Sequence, residues 1–236
     1  MGSVVTRVLG FDTSTSYLTV AVLAGGEVLA ESEVAPDATT GRPRHARELL
    51  LAIEAVLAEW GGWEAVERIA VGLGPGTFTG LRIGISTARA LAQSRDLPLV
   101  GVSSLRALAS GGDGEVLAVI DAKRNQAFAA LYAADGEELW QPTVGTPESL
   151  AGRIAERGGA LLAVGDGSVR FRAELEASGA EVPPDGDIRH RVAARHVCRL
   201  AAAAEVGELR EIKPTYLRRP DAELWRERDR GPKSTS

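Results

Sequence analysis

The sequence predicts an α/β protein built from two related lobes. Apolar strand patterns alternate with helical i, i+3, i+4 patterns along most of the 236 residues. Each half begins with an apolar strand, an aspartate at its end, a polar turn and a second strand; the aspartates are Asp12 and Asp121. We interpret this recurrence as an approximate internal duplication. We expect one lobe at 1–104, a second at 105–220 whose last helix packs back on the first, and a disordered tail at 221–236.

The first half predicts three strands, then two long helices that flank a fourth strand. "VTRVLGFD" and "YLTVAVLAGG" are apolar strands joined by the polar turn "TSTS", and "EVLAESEVA" is a third strand. Apolar residues at helical spacing predict a first helix over roughly 44–60. The strand "IAVGLG" then enters a Gly-Pro-Gly turn, which leads into a second helix over roughly 79–94 and the strand "LPLVGVSS".

The second half repeats this order. "EVLAVID" is an apolar strand, "AKRNQ" a polar turn, and "AFAALYAADGEEL" contains two short strands around an Asp-Gly turn. The helix "PESLAGRIAERG", the strand "ALLAVGDGS" and the helical region "RVAARHVCRLAAAAE" follow. The repeated order is what a pair of related lobes requires.

Composition narrows the function classes. The net charge of −5 argues against nucleic-acid binding by bulk electrostatics, which needs a basic face. The single cysteine, Cys198, lies in a helical pattern and is expected to be a buried structural thiol. The N-terminus has no signal-peptide pattern and no apolar run is long enough to span a membrane, so we expect a cytoplasmic protein without membrane contact.

The stretch "VGLGPGTFTG" offers bare backbone between a strand and a helix, where phosphate often binds. Its spacing matches neither the Walker pattern nor the dinucleotide-binding pattern. Two interpretations stay open: a contact with a nucleotide or another anion, and an ordinary strand-to-helix turn. Asp12 has the same ambiguity, because it could orient a phosphate or a hydrated metal, or simply cap its own turn. The candidate contacts are Asp12, Thr13, Gly74, Gly76, Thr77 and Arg82.

The second helix carries small residues at four-residue spacing. Gly80, Gly84 and Ala88 make one face nearly flat, and Leu81 and Ile85 lie beside it. A flat face lets another helix approach closely. A partner surface and a helix enclosed by its own lobe both explain this pattern.

Metal and hydrolase sites find little support in the sequence. His45 and Glu48 lie one helical turn apart, which a solvated helix face explains better than a pair of ligands. No Ser-His-Asp arrangement can be assigned, and "GDGS" around Ser168 lacks the nucleophile-elbow pattern. We therefore predict no metal site and no catalytic residue.

Five segments resemble, in order and spacing, the TsaB (YeaZ) family. They are "VLGFDTSTSYLTVAV", "GLGPGTFTGLRIGISTARALA", "LPLVGVSSLRALA", "VIDAKRNQAFAALY" and "PTYLRRP", from about Val4 to Pro220. The block "GPGTFTGLR", Gly74 to Arg82, is called the glycine block below. It is also shared in outline with TsaD, a larger catalytic relative. Both families are similar to the actin-like ATPases. The resemblance thus implies the two-lobed actin-like (ASKHA, ribonuclease H-like) fold, with a mixed sheet and flanking helices in each lobe.

The resemblance also implies a function. TsaB-like proteins work in the bacterial complex that forms N6-threonylcarbamoyladenosine at position 37 of tRNAs decoding ANN codons. They bind and support the TsaD-type transferase, and a TsaE-type ATPase is the third member. The resemblance therefore implies that the chain contacts tRNA only indirectly, through the complex. The implied partner surface lies on the N-lobe helices, and the same surface could form a homodimer. Its candidate residues are His45, Leu49, Ile53, Gly80, Leu81, Gly84, Ile85 and Ala88.

The resemblance distinguishes this chain from its catalytic relative. TsaD-like sequences carry a His-x-x-x-His pair after the strand that follows the glycine block. By position, Ser104 and Leu108 stand there, and neither replaces an imidazole as a metal ligand. The chain is therefore expected to be a non-catalytic subunit that requires no cofactor of its own. A nucleotide, if one binds, is expected to be ATP or ADP at the heterodimer contact.

Two other functions are weighed against this one. A stand-alone ATP-dependent kinase of the actin-like fold is suggested by Asp12, the glycine block and Asp121. It would bind nucleotide with magnesium and turn it over without a partner. A zinc peptidase needs three protein ligands, and the sequence supplies at best His45 with Glu48.

Overall fold

The computed structural model describes residues 6–218 of the chain. The predicted disordered tail, 221–236, lies outside these residues. The strands are β1 (Arg7–Asp12), β2 (Leu18–Ala24), β3 (Glu27–Val34), β4 (Arg68–Gly72), β5 (Leu99–Val102), β6 (Val116–Lys123), β7 (Gln126–Tyr132), β8 (Glu138–Gly145), β9 (Leu161–Val164) and β10 (Ala180–Glu181). The α-helices are α1 (His45–Ala58), α2 (Phe78–Arg95), α3 (Ser104–Ala109), α4 (Pro147–Arg157), α5 (Asp166–Arg170), α6 (Arg172–Ala177) and α7 (Ala194–Ala203).

The two sheets have the same topology. The first has the order β3-β2-β1-β4-β5 and the second the order β8-β7-β6-β9-β10. In each, the first three strands of the lobe pair antiparallel, and the last two join in parallel. This equivalence confirms the duplication inferred from the sequence. The two long helices of the first lobe, α1 and α2, lie within two residues of their predicted limits at each end.

Alternate residues along β1 point to different cores. Leu9 and Phe11 pack with α1 and α2, whereas Val8 faces a second core that contains α3 and α7. A third core joins the outer face of the second sheet to α4 and α6. The period of two along a strand therefore produces five layers: helices, sheet, helices, sheet, helices.

Helix α7 packs directly on the first sheet, although it follows the second one in sequence. A Cβ on Gly10 of β1 would lie 2.5 Å from the Cys198 Sγ, so the glycine permits this close approach. Cys198 is buried, as predicted, and burial raises the pKa of its thiol. Arg68 Nη1, at the start of β4, donates to the carbonyl oxygens of Ala201 (2.6 Å) and Ala204 (3.0 Å) and so ties the end of α7 to the first sheet.

The chain beyond α7 returns to the first lobe. Ile212 is buried in the core that α1 and α2 share. The Thr215 backbone N–H donates to the Leu73 carbonyl oxygen at 2.8 Å, and Arg89 of α2 donates to the Leu209 carbonyl oxygen at 3.0 Å. These contacts hold the segment against the lobe where the chain began. Within residues 6–218, no helix combines the length and apolarity needed to cross a bilayer.

Candidate functional site

A cleft of about 220 Å³ separates the two lobes where β1 and β6 end. The turns that follow these strands approach each other there, together with Thr77 at the start of α2 and a loop before α1. The cleft is lined by Ser14, Thr15, Ser16, Gly41, Pro43, Thr77, Ile120, Asp121, Lys123 and Asp166. Of the six candidate anion contacts, only Thr77 lines this cleft.

Asp12 is buried and both of its carboxylate oxygens accept hydrogen bonds from within the first lobe. Oδ1 accepts from the Ser14 backbone N–H (2.7 Å) and the Ser14 hydroxyl (2.6 Å). Oδ2 accepts from the Ser104 hydroxyl at 2.6 Å. Burial raises the pKa of Asp12, although these hydrogen bonds oppose the shift. Asp12 therefore caps its own turn, which is one of the two roles left open by the sequence.

Ser104 joins the first turn to the glycine block. While its hydroxyl donates to Asp12, the same oxygen accepts from the Gly74 backbone N–H at 3.1 Å. Sequence reasoning treated Ser104 only as the place of an absent metal ligand and missed this role. Leu108, the other position of that pair, is buried in the core between the sheets. Both positions are thus used for structure.

The glycine block packs against the first turn. The Thr77 backbone N–H donates to the Ser14 carbonyl oxygen at 2.7 Å. A Cβ on Gly80 would overlap the Thr13 carbonyl oxygen, and a Cβ on Gly84 would overlap the Thr13 hydroxyl. That hydroxyl donates to the Gly80 carbonyl oxygen at 2.8 Å. The part of this flat face at Gly80 and Gly84 therefore receives the Thr13 turn.

This packing corrects the predicted partner surface. All eight candidate residues are buried in the isolated chain: His45, Leu49, Ile53, Gly80, Leu81, Gly84, Ile85 and Ala88. Since buried side chains cannot touch a partner, they are core residues of the first lobe. The large apolar residues that α1 and α2 leave in solvent are Leu50 (55% exposed), Leu51 (61%) and Phe78 (39%).

Arg82, a predicted anion contact, lies on this outward side of α2. Its guanidinium carbon is 3.9 Å from the centre of the Phe78 ring, a cation–π contact. Phe78 also stacks on Tyr216 of the returning segment, with ring centres 5.6 Å apart. Arg82 does not line the cleft, so the structure separates it from Thr77.

His45 begins α1 and is buried, with no hydrogen-bond partner for its Nε2 atom. Burial lowers its pKa, while the nearby charge of Asp12 opposes the shift. His45 is therefore neutral near pH 7. The predicted solvated face with Glu48 is wrong for the histidine, because its ring packs inward, but Glu48 does pair with Arg44 at 2.7 Å.

The second turn is neutralised by its own neighbours. Asp121 Oδ2 accepts from Lys123 Nζ (2.8 Å) and Arg170 Nη1 (3.0 Å). Burial by itself would raise the pKa of Asp121, but the hydrogen bonds from Lys123 and the charges of both cations lower it overall. Asp166 lies next to this turn and accepts a hydrogen bond from the Asp121 backbone N–H at 3.0 Å. It is buried, and burial raises its pKa.

A serine and a histidine that lie apart in sequence come together in the second lobe. The Ser168 hydroxyl lies 3.3 Å from His190 Nδ1 and donates to the Gly165 carbonyl oxygen at 2.7 Å. His190 Nε2 lies 3.0 Å from the Pro183 carbonyl oxygen. Both side chains are buried, so we interpret the pair as structural. Across residues 6–218, no group of three His, Cys, Asp or Glu side chains is arranged to hold a metal ion.

Comparisons with known proteins identify the family. A family model described as TsaD, tRNA N6-adenosine threonylcarbamoyltransferase, matches residues 34–223. The tRNA threonylcarbamoyladenosine biosynthesis protein TsaB of Escherichia coli is 31% identical over 225 residues, which cover 90% of this chain and 94% of the relative. The chain belongs to the TsaB family. A tRNA N6-adenosine threonylcarbamoyltransferase of Geobacter is 30% identical, but this TsaB-family chain covers only 48% of it.

Solved structures agree on the fold. YeaZ from Pseudomonas aeruginosa matches with a TM-score of 0.71 and 27% identity, covering 90% of this chain and all of that one. A ROK hexokinase from Thermus thermophilus matches with a TM-score of 0.51 over 84% of this chain and 98% of that one. At 14% identity, the kinase shows shared architecture alone. The predicted two-lobed actin-like fold of this TsaB-family chain is confirmed.

Proposed function

We propose that this TsaB-family chain is a non-catalytic subunit of the machinery that forms N6-threonylcarbamoyladenosine on tRNA, where it binds and supports a TsaD-type transferase. The observation that carries the proposal is that the aspartates of both turns are bonded within the chain. Ser14 and Ser104 donate hydrogen bonds to the carboxylate of Asp12. Lys123 and Arg170 form ion pairs with the carboxylate of Asp121. Neither turn presents a free carboxylate to a magnesium–nucleotide complex.

This arrangement argues against the stand-alone kinase. A carboxylate that orients magnesium must be directed into the cleft. Asp12 is buried, and its two oxygens face Ser14 and Ser104 instead. The glycine block uses the N–H groups of Gly74 and Thr77 for internal hydrogen bonds. The loop has the shape of a phosphate-binding loop, but these N–H groups bond to other parts of the same lobe.

The partner surface in this proposal is the outward side of α1 and α2. Leu50 and Leu51 on α1 and Phe78 on α2 are exposed large apolar side chains, with Arg82 over the Phe78 ring. Aromatic and arginine side chains are enriched at the centres of protein interfaces. The TsaD-type transferase is the proposed occupant, and a second copy of this chain would bury the same side chains when the transferase is absent.

The remaining assignments follow from the complex. The TsaE-type ATPase is the proposed third member, and tRNA is reached through the transferase. We propose no cofactor for this subunit alone. An ATP or ADP molecule would bind at the heterodimer contact, where Arg82, on the outward side of α2, is the candidate on this side.

The test is reconstitution with the transferase and the ATPase of the same organism. Gel filtration at micromolar concentration should give a heterodimer, and the mixture should modify tRNA where each protein alone does not. Leu51→Glu should weaken the heterodimer at least about tenfold, since it places a charge in an apolar contact. Leu139→Glu is the matched control, because Leu139 is an exposed leucine on β8 of the other lobe.

Two results would reject the proposal. One is tRNA modification by the purified chain alone, because that requires a catalytic site. The other is a complete failure to associate with the transferase. If Leu51→Glu and Leu139→Glu both leave the heterodimer intact, the subunit role stands and the outward side of α1 is not the contact.

A further inference from the structure

The segment that returns to the first lobe holds Tyr216 at the surface. Ile212 before it is buried in the core of α1 and α2, and the Thr215 backbone N–H donates to the Leu73 carbonyl oxygen at 2.8 Å. Leu217 after it packs against the core between the two sheets. The chain is therefore fixed on both sides of Tyr216, yet 42% of this residue is exposed.

Tyr216 belongs to a cluster at the start of α2. Its ring stacks on that of Phe78, with ring centres 5.6 Å apart and an angle of 29° between the planes. The Arg82 guanidinium carbon lies 3.9 Å from the centre of the Phe78 ring. Phe78 is itself 39% exposed. We call Phe78, Arg82 and Tyr216 the aromatic corner, to which two segments distant in sequence contribute.

The aromatic corner adjoins the start of α1. A Cβ on Gly80 would lie 3.2 Å from His45 Nδ1, so α1 and α2 begin side by side. Leu50 and Leu51, the exposed leucines of α1, lie within about two helical turns of His45. The exposed apolar residues of both helices thus lie towards the same end, and Tyr216 extends this surface onto the returning segment.

The charge of α2 indicates what a partner has to present. Arg82, Arg89 and Arg95 lie on this helix, which carries no carboxylate, although the whole chain has a net charge of −5. Among residues 6–218, no ion pair engages Arg82. An arginine that loses its water at an interface needs an opposite charge there. A partner that covers the aromatic corner must therefore supply a carboxylate beside an apolar pocket.

We propose that the aromatic corner is a principal contact of the TsaD-type transferase, with Phe78 and Tyr216 in an apolar pocket and Arg82 paired with a carboxylate. The returning segment is then the third element of the partner surface, beside α1 and α2. Because Tyr216 is already held in place, its ring loses little conformational entropy when the partner binds. This inference rests on the proposed function and adds a residue that neither helix supplies.

The experiment measures the dissociation constant of the full-length chain and the transferase of the same organism by calorimetry, without nucleotide. Tyr216→Ala should raise this constant at least about tenfold, because an aromatic contact at the interface is removed. Tyr216→Phe keeps the ring and should stay within about threefold of the original chain. The melting temperature of the unbound Tyr216→Ala chain should fall by less than about 4 °C, since much of the side chain is already in water.

Tyr216→Leu keeps the test valid if alanine unfolds the chain. Leucine still covers Phe78, so the fold is retained, but it lacks the flat ring and should raise the dissociation constant at least about threefold. Combining Phe78→Ala with Tyr216→Ala should weaken binding less than the two separate effects multiplied together, because both rings fill one pocket.

Arg82→Gln tests the predicted carboxylate. Without nucleotide, it should weaken the heterodimer at least about fivefold at about 50 mM salt, and by less at about 500 mM, since salt screens an ion pair. Arg153→Gln is the matched control, because Arg153 likewise lies over an aromatic ring, that of Trp140, but in the second lobe. It should leave the dissociation constant unchanged at both salt concentrations.

The outcomes separate this inference from the proposed function. If the original chain binds the transferase and Tyr216→Ala or Tyr216→Leu binds equally well, the returning segment is not part of the contact, and the subunit role stands. If the original chain does not bind at all, the proposed function itself is rejected. Binding by Arg82→Gln that is weakened only when ADP is present, or not weakened at all, overturns the predicted carboxylate.

Discussion

Ser104 shows what a single side chain contributes to this fold. Its hydroxyl lies between Asp12 and Gly74, which belong to the first turn and the glycine block. By the family resemblance, this is a position where TsaD-like sequences carry a histidine. A serine can donate and accept at the same time, so it closes the gap between a buried carboxylate and a backbone N–H.

Ser104→Ala should lower the free energy of unfolding by about 2–3 kcal/mol, because it leaves a carboxylate oxygen and a buried N–H unpaired. Urea unfolding measures the loss. Ser86→Ala, on the exposed side of α2, should change stability by less than about 0.5 kcal/mol. Equal stability of the two variants would contradict the role given to Ser104.

His196 predicts a pH dependence. Burial, with the charges of Arg195 and Arg199, lowers its pKa to about 4 from the ordinary 6.5. The unfolded chain therefore binds a proton between these values while the folded chain does not, and stability falls as the pH drops from 6.5 towards 4. We expect this histidine to contribute about 2 kcal/mol to that fall.

His196→Gln removes this contribution. The difference in unfolding free energy between the variant and the original chain should change over the same pH range and be constant above it. Asp12 and Asp166 have raised pKa values, so they make stability fall as the pH rises above 3.8. Both are present in the two proteins, so their effects cancel in the difference. Parallel stability curves would contradict the prediction.

Helix α2 illustrates how far pattern reasoning reaches for one element. The sequence predicted its limits within two residues and identified the flat face of Gly80 and Gly84. The spacing of small residues indicates how closely another segment can pack against the helix, but it does not identify that segment. Thr13, far away in sequence, occupies that face. Side-chain size is local information, whereas the contact is set by the packing of the whole lobe.

Gly84→Ala should destabilise the chain by about 1–3 kcal/mol, because its Cβ would overlap the Thr13 hydroxyl. Gly152→Ala is the matched change in α4, where a Cβ would meet nothing within 4 Å. It should stabilise the chain by about 0.5–1 kcal/mol, since alanine favours a helix. Thermal or urea unfolding of the two variants should therefore give opposite signs; equal signs would argue against the contact at Thr13.

The molecule as a whole was predictable in outline because both halves repeat the same order of strands and turns. The duplication, the strands around the Asp-Gly turn and the buried cysteine all follow from patterns that are local in sequence. The ion pair of Asp121 with Arg170, the burial of His45 and the meeting of Ser168 with His190 do not. Each depends on how distant segments dock, which composition and periodicity do not encode.

At this scale the cleft is the decisive feature for nucleotide binding. Because Asp12 and Asp121 are satisfied internally, calorimetric titration of the isolated chain with magnesium and ATP should show no saturable binding up to about 1 mM. Titration of the heterodimer provides the comparison, since a nucleotide at that contact would give heat only there. One-to-one binding by the isolated chain, tighter than about 0.1 mM, would favour the kinase.

The return of the chain to its starting lobe bears on how the protein is made. Helix α7 covers the inner side of the first sheet, and Ile212 completes the core under α1 and α2. A nascent polypeptide that has left the ribosome only as far as the second sheet still lacks both. Its early strands stay incompletely covered until α7 and Ile212 have also emerged.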